Sequence, residues 1–161
     1  MSLDTLFRVC NLGVLPFWLL LALAPRARLT ALLVHRPLVP ILLGTLYGVL
    51  IFTGSPPPAD GNMGSLAGVT ALFSAPQVLT AGWIHYLIFD LFVGAWETRD
   101  AARRAVPHLL VVPCLGLTLM LGPLGLLAYL GVRYARTRVL DLDETLPSNT
   151  GGSAAQTSTA V

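Results

Sequence analysis

The stretch that decides the fold is "AGWIHYLIFDLFVGAWETRDAARR", Ala81 to Arg104. Its first two thirds are dominated by apolar residues, yet His85, Tyr86 and Asp90 stand in the middle. An apolar run of about 18 residues or more reads as a helix that crosses a bilayer. An aspartate at the centre of such a helix costs about 2.5–3.5 kcal/mol on insertion scales. Its side chain is too short to reach the headgroups by snorkelling. Asp90 is therefore expected to turn into the protein, either protonated or strongly hydrogen-bonded.

Composition agrees with lipid surroundings. Of 161 residues, 55% are hydrophobic and 11% charged, with mean hydropathy +0.73. A soluble domain carries about 25% charged residues. The charges fall in clusters separated by long apolar gaps, as in membrane spans joined by short polar loops. The net charge of +2 and the absence of a recognition motif point away from a nucleic-acid partner. Cys10 and Cys114 lie far apart in apolar runs and read as small buried residues.

Working outward, the first span is "LFRVCNLGVLPFWLLLALAP", Leu6 to Pro25, extended by Leu3 to Thr5. Ala22-Leu23-Ala24 resembles a signal-cleavage site, but Pro25 directly behind it favours a retained span. The second, Pro37 to Phe52, is short unless "LTALLV" joins it, with Pro37 and Pro40 kinking the entry. Thr53 to Ser65 is a loop of prolines and glycines. "LAGVTALFSAP" after it is too short to cross. The third span is expected to start at a capping box of Ser74 and Gln77 and to run to about Thr98. The fourth is expected from Pro107 to Val132, bent at Pro113 and Gly122-Pro123. Residues 141–161 show no apolar periodicity and read as a disordered tail.

The expectation is an all-α integral membrane four-helix bundle over residues 1–140. The Arg clusters at 26–36 and 99–104 place both long linkers in the cytoplasm by the positive-inside rule. Both termini would then face out, and Arg133, Arg136 and Arg138 argue the other way.

At about 100° per residue, Tyr86, Asp90, Val93 and Glu97 share one stripe. Tyr86 lies one turn from Asp90. His85, Phe89, Phe92, Trp96 and Arg99 take an adjacent face, and His85 stands about 140° from Asp90. A structural role for Asp90, bonded to Asn11 or Thr45 on another helix, stands beside a chemical one. Glu97, Arg99 and Asp100 are expected at the membrane edge as a solvated cluster. Trp18, Trp83 and Trp96 are expected as interface anchors. With three scattered histidines, no nucleophile elbow and no phosphate loop, no metal and no cofactor is assigned.

Three segments in order, "FRVCNLGVLPFWLLLALAP", "AGWIHYLIFDLFVGAW" and "GPLGLLAYL", resemble the abscisic-acid-deficient-four-like membrane proteins over roughly residues 5–135. The most specific pieces are Trp83-x-His85, Asp90-Leu91-Phe92-x-Gly94 and Gly122-Pro123-Leu124-Gly125. The plant members are regarded as neoxanthin synthases, so the resemblance implies a multi-pass membrane protein linked to carotenoids. No plastid-type transit segment precedes the first span, and a bacterial cytoplasmic membrane is the expected location.

Two readings follow from the resemblance. In the first, the chain is a cofactor-independent isomerase of a carotenoid epoxide. Asp90 acts as acid, His85 as base, and Tyr86 orients Asp90. Trp83, Phe89, Phe92 and Trp96 line a slot for the polyene, while Glu97 and Arg99 bind a polar end group. In the second, the protein holds a carotenoid or assembles into a larger complex without chemistry. A small transporter is the weaker third reading, since no inverted repeat is evident. Membrane lipid is the expected surrounding, and the oligomeric state is left open.

Overall fold

The computed structural model describes residues 1–36, 38–54 and 56–142, and all regular structure among them is helical. From residue 143 onward, the expected tail falls outside the described residues, as does Pro37.

The chain opens on α1 (Leu3–Gly13), capped by the Ser2 hydroxyl, and continues through Val14 into α2 (Leu15–Leu23). Val14 keeps helical dihedrals, and Pro16 falls in the first turn of α2, where its missing N–H breaks no ladder bond. Together they form a 21-residue apolar rod. A short α3 (Arg28–Leu33) precedes α4 (Leu38–Phe52). The Pro/Gly loop then leads to α5 (Leu66–Ser74) and the long α6 (Pro76–Arg103). Two further helices, α7 (His108–Leu121) and α8 (Pro123–Thr137), complete the described chain. The stretches Leu3–Leu23, Arg28–Phe52 and Pro76–Arg103 are each long and apolar enough to cross a bilayer.

Every main packing direction refers to α6. Asn11 meets Trp83 and Trp18 meets Gly94, so the α1–α2 rod runs parallel to α6. Leu50 meets Gln77 and His35 meets Arg99, so α4 runs antiparallel. Gly94 lets the first contact close: a Cβ there would stand 2.7 Å from the Trp18 ring. Trp18 is thus buried against α6, not an interface anchor, because the glycine offers its large ring a matching recess.

The expected capping box does not form. Ser74 belongs to α5 and bonds Ala71, and Gln77 donates to the Leu50 carbonyl of α4 at 2.8 Å. Pro76 starts α6 instead, at a position where its lost N–H and fixed φ suit a helix start. The helix also does not stop near Thr98. Its 28 residues, about 42 Å at 1.5 Å each, carry "ETRDAAR" as helix because Glu97 finds a partner on α7 and Asp100 finds partners on α8.

The expected fourth span is a hairpin. Its α7 has 14 residues, about 21 Å, short of a ~30 Å hydrocarbon core. The chain reverses at Gly122, whose φ of 41° and ψ of −93° suit a residue without Cβ. Pro123 then occupies the first position of α8. Seven residues apart in sequence, Gly125 and Thr118 press main chain on main chain, which a straight helix cannot do. Helix α8 returns from the level of Asp90, beside Gly122, to the level of Asp100, beside Tyr129 and Arg133. The two ends of the described chain therefore lie at opposite ends of the bundle, not on one side as the four-span count implied.

Candidate functional site

The polar residues of α6 meet the hairpin along one seam. Asp90 retains 8% of its surface exposed and Glu97 none. A Cβ on Gly122 would sit 2.8 Å from Asp90 Oδ1, so the carboxyl lies directly against the hairpin tip. Tyr86, one turn earlier and beside the Asp90 carboxyl, donates its hydroxyl to the Leu119 carbonyl of α7 at 3.5 Å. Asp90 Oδ2 is buried without a hydrogen-bond partner among the described residues. Two turns further, the Thr118 hydroxyl donates to Glu97 Oε1 at 2.9 Å, and Glu97 Oε2 is likewise unpartnered. The start of α8 lies beside Asp90, and a helix N-terminus carries partial positive charge that favours an acid there. Two buried carboxyls on one stripe, each with one free oxygen, form a site able to donate and accept protons away from bulk water.

Below them, Asp100 anchors the return helix. Tyr129 donates to its Oδ2 at 2.6 Å, and the buried Arg133 guanidinium stands 3.4 Å from the same oxygen. Its Oδ1 takes Arg104 Nε at 3.0 Å, with Arg103 at 3.7 Å. Arg104 and Arg133 also reach Asp141, which ties the chain beyond α8 to the end of α6. Removing one partner of such a buried pair typically costs about 3–5 kcal/mol, so this cluster fixes the hairpin's position.

The residues singled out by sequence divide between faces. Tyr86, Asp90 and Glu97 share the seam, as the helical stripe implies. His85 instead is exposed, with its ring 5.9 Å from Tyr47 and 4.5 Å from Phe89; it does not face Asp90. Phe89 and Phe92 are more than half exposed on the outside of the bundle. Trp83 is partly exposed, donates to Asn11 at 3.1 Å and stacks on Tyr86. Trp96 packs edge-on against Tyr129, and Arg99 meets His35 at 3.3 Å.

Two expectations change. Glu97 and Asp100 are buried, not solvated at the edge, because the returning α8 covers them and supplies Tyr129 and Arg133. Asp90 is not tied to Asn11 or Thr45; Asn11 serves Trp83, and Thr45 bonds its own Ile41 carbonyl. The sequence did not place Thr118, Gly122, Tyr129 or Arg133 at this seam. The available signal was Arg133, one turn after Tyr129 near the end of an apolar run.

The family model described as ABA DEFICIENT 4-like matches residues 5–129. Protein ABA DEFICIENT 4, chloroplastic, of Arabidopsis thaliana is 30% identical over 110 residues, which cover 64% of this chain and 50% of that protein. The chain thus spans half the length of this curated relative. No solved structure matches. The matched range includes Tyr86, Asp90, Glu97, Asp100, Gly122 and Tyr129, and stops short of Arg133.

Proposed function

This chain belongs to the ABA DEFICIENT 4-like family, and from that membership we propose that it is a multi-pass membrane protein of carotenoid metabolism. In this reading it lies in a bacterial cytoplasmic membrane and isomerises a carotenoid epoxide without a cofactor, as a neoxanthin synthase would. The observation that carries the reading is the Asp90 carboxyl, buried against the hairpin tip with one oxygen unpartnered.

The reaction needs one proton delivered and one removed. A protonated Asp90 gives its proton to the epoxide oxygen as a C–O bond breaks, leaving a hydroxyl. A base takes a proton from the polyene carbon, and that electron pair forms the second double bond of an allene. Atoms and electrons balance without an oxidant. Tyr86, one turn before Asp90 on the same stripe, is the residue that orients its carboxyl in this reading. Glu97, on the same stripe and with a free buried oxygen, takes the base role better than His85, which faces Tyr47 and Phe89. Turnover leaves Asp90 ionised and Glu97 protonated; the two stand about 10 Å apart along α6, so the proton returns to Asp90 by exchange with water when product leaves. Trp83 and Tyr86 line the approach to Asp90 where aromatic rings suit an apolar chain. Phe89, Phe92 and Trp96 extend the aromatic surface of α6, and Arg99 lies at its far end.

One observation favours the non-enzymatic alternative, a carotenoid-binding or assembly protein. An apolar groove of about 270 Å³ lies between the α1–α2 rod and α4, lined by Leu6, Cys10, Val14, Val39, Leu43 and Leu46 among others. Its lining includes no α6 residue. Expression in a carotenoid-producing host, with pigments analysed by mass, separates the two readings. Wild type is expected to change the pigment profile and Asp90→Asn to abolish the change while the protein still accumulates in membranes. Unaltered pigment with the wild type, recovered bound to the purified protein, would favour binding alone.

A further inference from the structure

The hairpin gathers the basic residues of the chain at one end. Contacts of Ala22 with His108, of His35 with Arg99, and of Asp100 with Arg133 bring the ends of α2, α6 and α8 and the start of α4 together. Nine of the ten arginines belong to this end; Arg8, in α1, does not. The opposite end carries Asp4 and Asp60.

The acids at the arginine end are, among the described residues, committed to interior partners. Glu97 is held by Thr118, Asp100 by Tyr129, Arg133, Arg103 and Arg104, and Asp141 by Arg104 and Arg133. Arg26, Arg28, Arg36, Arg136 and Arg138 are exposed, and no ion pair involves them among the described residues. Apolar side chains are exposed among them: Leu29 at 52%, Leu32 at 45%, Leu140 at 56% and Leu142 at 68%. Tyr134 is also exposed, with the Arg138 guanidinium 5.6 Å from its ring centroid. Exposed leucines alternating with exposed arginines are unfavourable in water. They fit the layer where acyl chains meet phosphates, with leucines below and guanidinium groups at the headgroups.

We propose that this end is a binding surface for anionic phospholipid headgroups, seated in the cytoplasmic leaflet with the start of α1 on the opposite side of the membrane. The proposal rests on the reading that the chain spans a bilayer. Arginine matches phosphate through paired N–H donors. A face of clustered arginines is retained on the cytoplasmic side during insertion, where anionic lipid attracts it within about a Debye length. The reversal at Gly122 removes the conflict that Arg133, Arg136 and Arg138 pose for a straight fourth span.

The test compares wild type with a variant carrying Arg26→Gln, Arg28→Gln, Arg36→Gln, Arg136→Gln and Arg138→Gln, both purified in mild detergent. Native mass spectrometry reads lipid retained from an equimolar mixture of phosphatidylglycerol and phosphatidylcholine. Wild type is expected to retain phosphatidylglycerol at least about fivefold over phosphatidylcholine, and the variant near parity. Parity in the wild type, or an undiminished preference in the variant, would overturn the proposal. In intact cells, a membrane-impermeant maleimide is expected to label Ser2→Cys and not Arg136→Cys; the reverse pattern would overturn the leaflet assignment. An alkaline carbonate wash keeps the underlying reading separate. Release of wild type by the wash would refute spanning itself, whereas retention without lipid preference would refute only the headgroup surface.

Discussion

Replacing Gly125 with alanine tests whether α7 and α8 form a hairpin or a single bent span. A Cβ at Gly125 would collide with the main chain and hydroxyl of Thr118. Main chain cannot swing aside as a side-chain tip can, so the helices must separate. Overpacking of this kind costs about 1–3 kcal/mol, against a helix-propensity gain of about 0.5–1 kcal/mol for alanine over glycine. Because the obstacle is main chain the cost lies at the upper end of that range, and the net loss of about 2 kcal/mol lowers the melting midpoint by about 4–8 °C in a protein of this size. Gly131, two turns along the same helix, supplies the control, because nothing lies within 4 Å of its would-be Cβ. Gly131→Ala is expected to raise the midpoint by about 1–4 °C from propensity alone. Thermal unfolding in detergent, followed by circular dichroism, measures both. If Gly125→Ala melts at or above the wild type, Thr118 and Gly125 are not in contact. The hairpin, and with it the burial of Asp90 and Glu97, would then be refuted.

Two other outcomes follow from the packing. Tyr129→Phe removes the 2.6 Å bond to Asp100 and is expected to cost about 1.5–3 kcal/mol, as for a bond to a charged group; an unchanged melt would mean the arginines alone hold Asp100. Gly94→Val places an isopropyl group in the recess filled by Trp18 and is expected to destabilise by about 1–3 kcal/mol. In a background where Trp83 and Trp96 are phenylalanine, Trp18 emission should shift to the red, and unshifted emission would place that ring elsewhere.

Local composition was enough for much of the architecture. Long apolar runs, proline and glycine punctuation, and the helical stripe Tyr86–Asp90–Glu97 act through neighbours within a few residues, so they are legible in one dimension. The stripe survives in the structure because α6 is unbroken. The reversal at Gly122 was legible only as a bend. A turn of about 30° and a complete return use the same Gly-Pro pair, and the difference depends on whether distant partners reward folding back.

The sequence by itself therefore determined an all-helical chain with apolar stretches of bilayer length and an acid that must be hidden. Periodicity and desolvation cost, both local quantities, settle those points. Tertiary structure alone decided what hides that acid and where the charges go. Asp100 lies near the end of α6, and Tyr129 and Arg133 lie on α8, about thirty residues later. Their pairing draws α8 back along α6, covers Glu97, lays Gly122 on Asp90 and collects the arginines at one end. A carboxylate buried without a partner is far costlier than one that is paired, and that difference, between residues remote in sequence, sets the direction of the last helix.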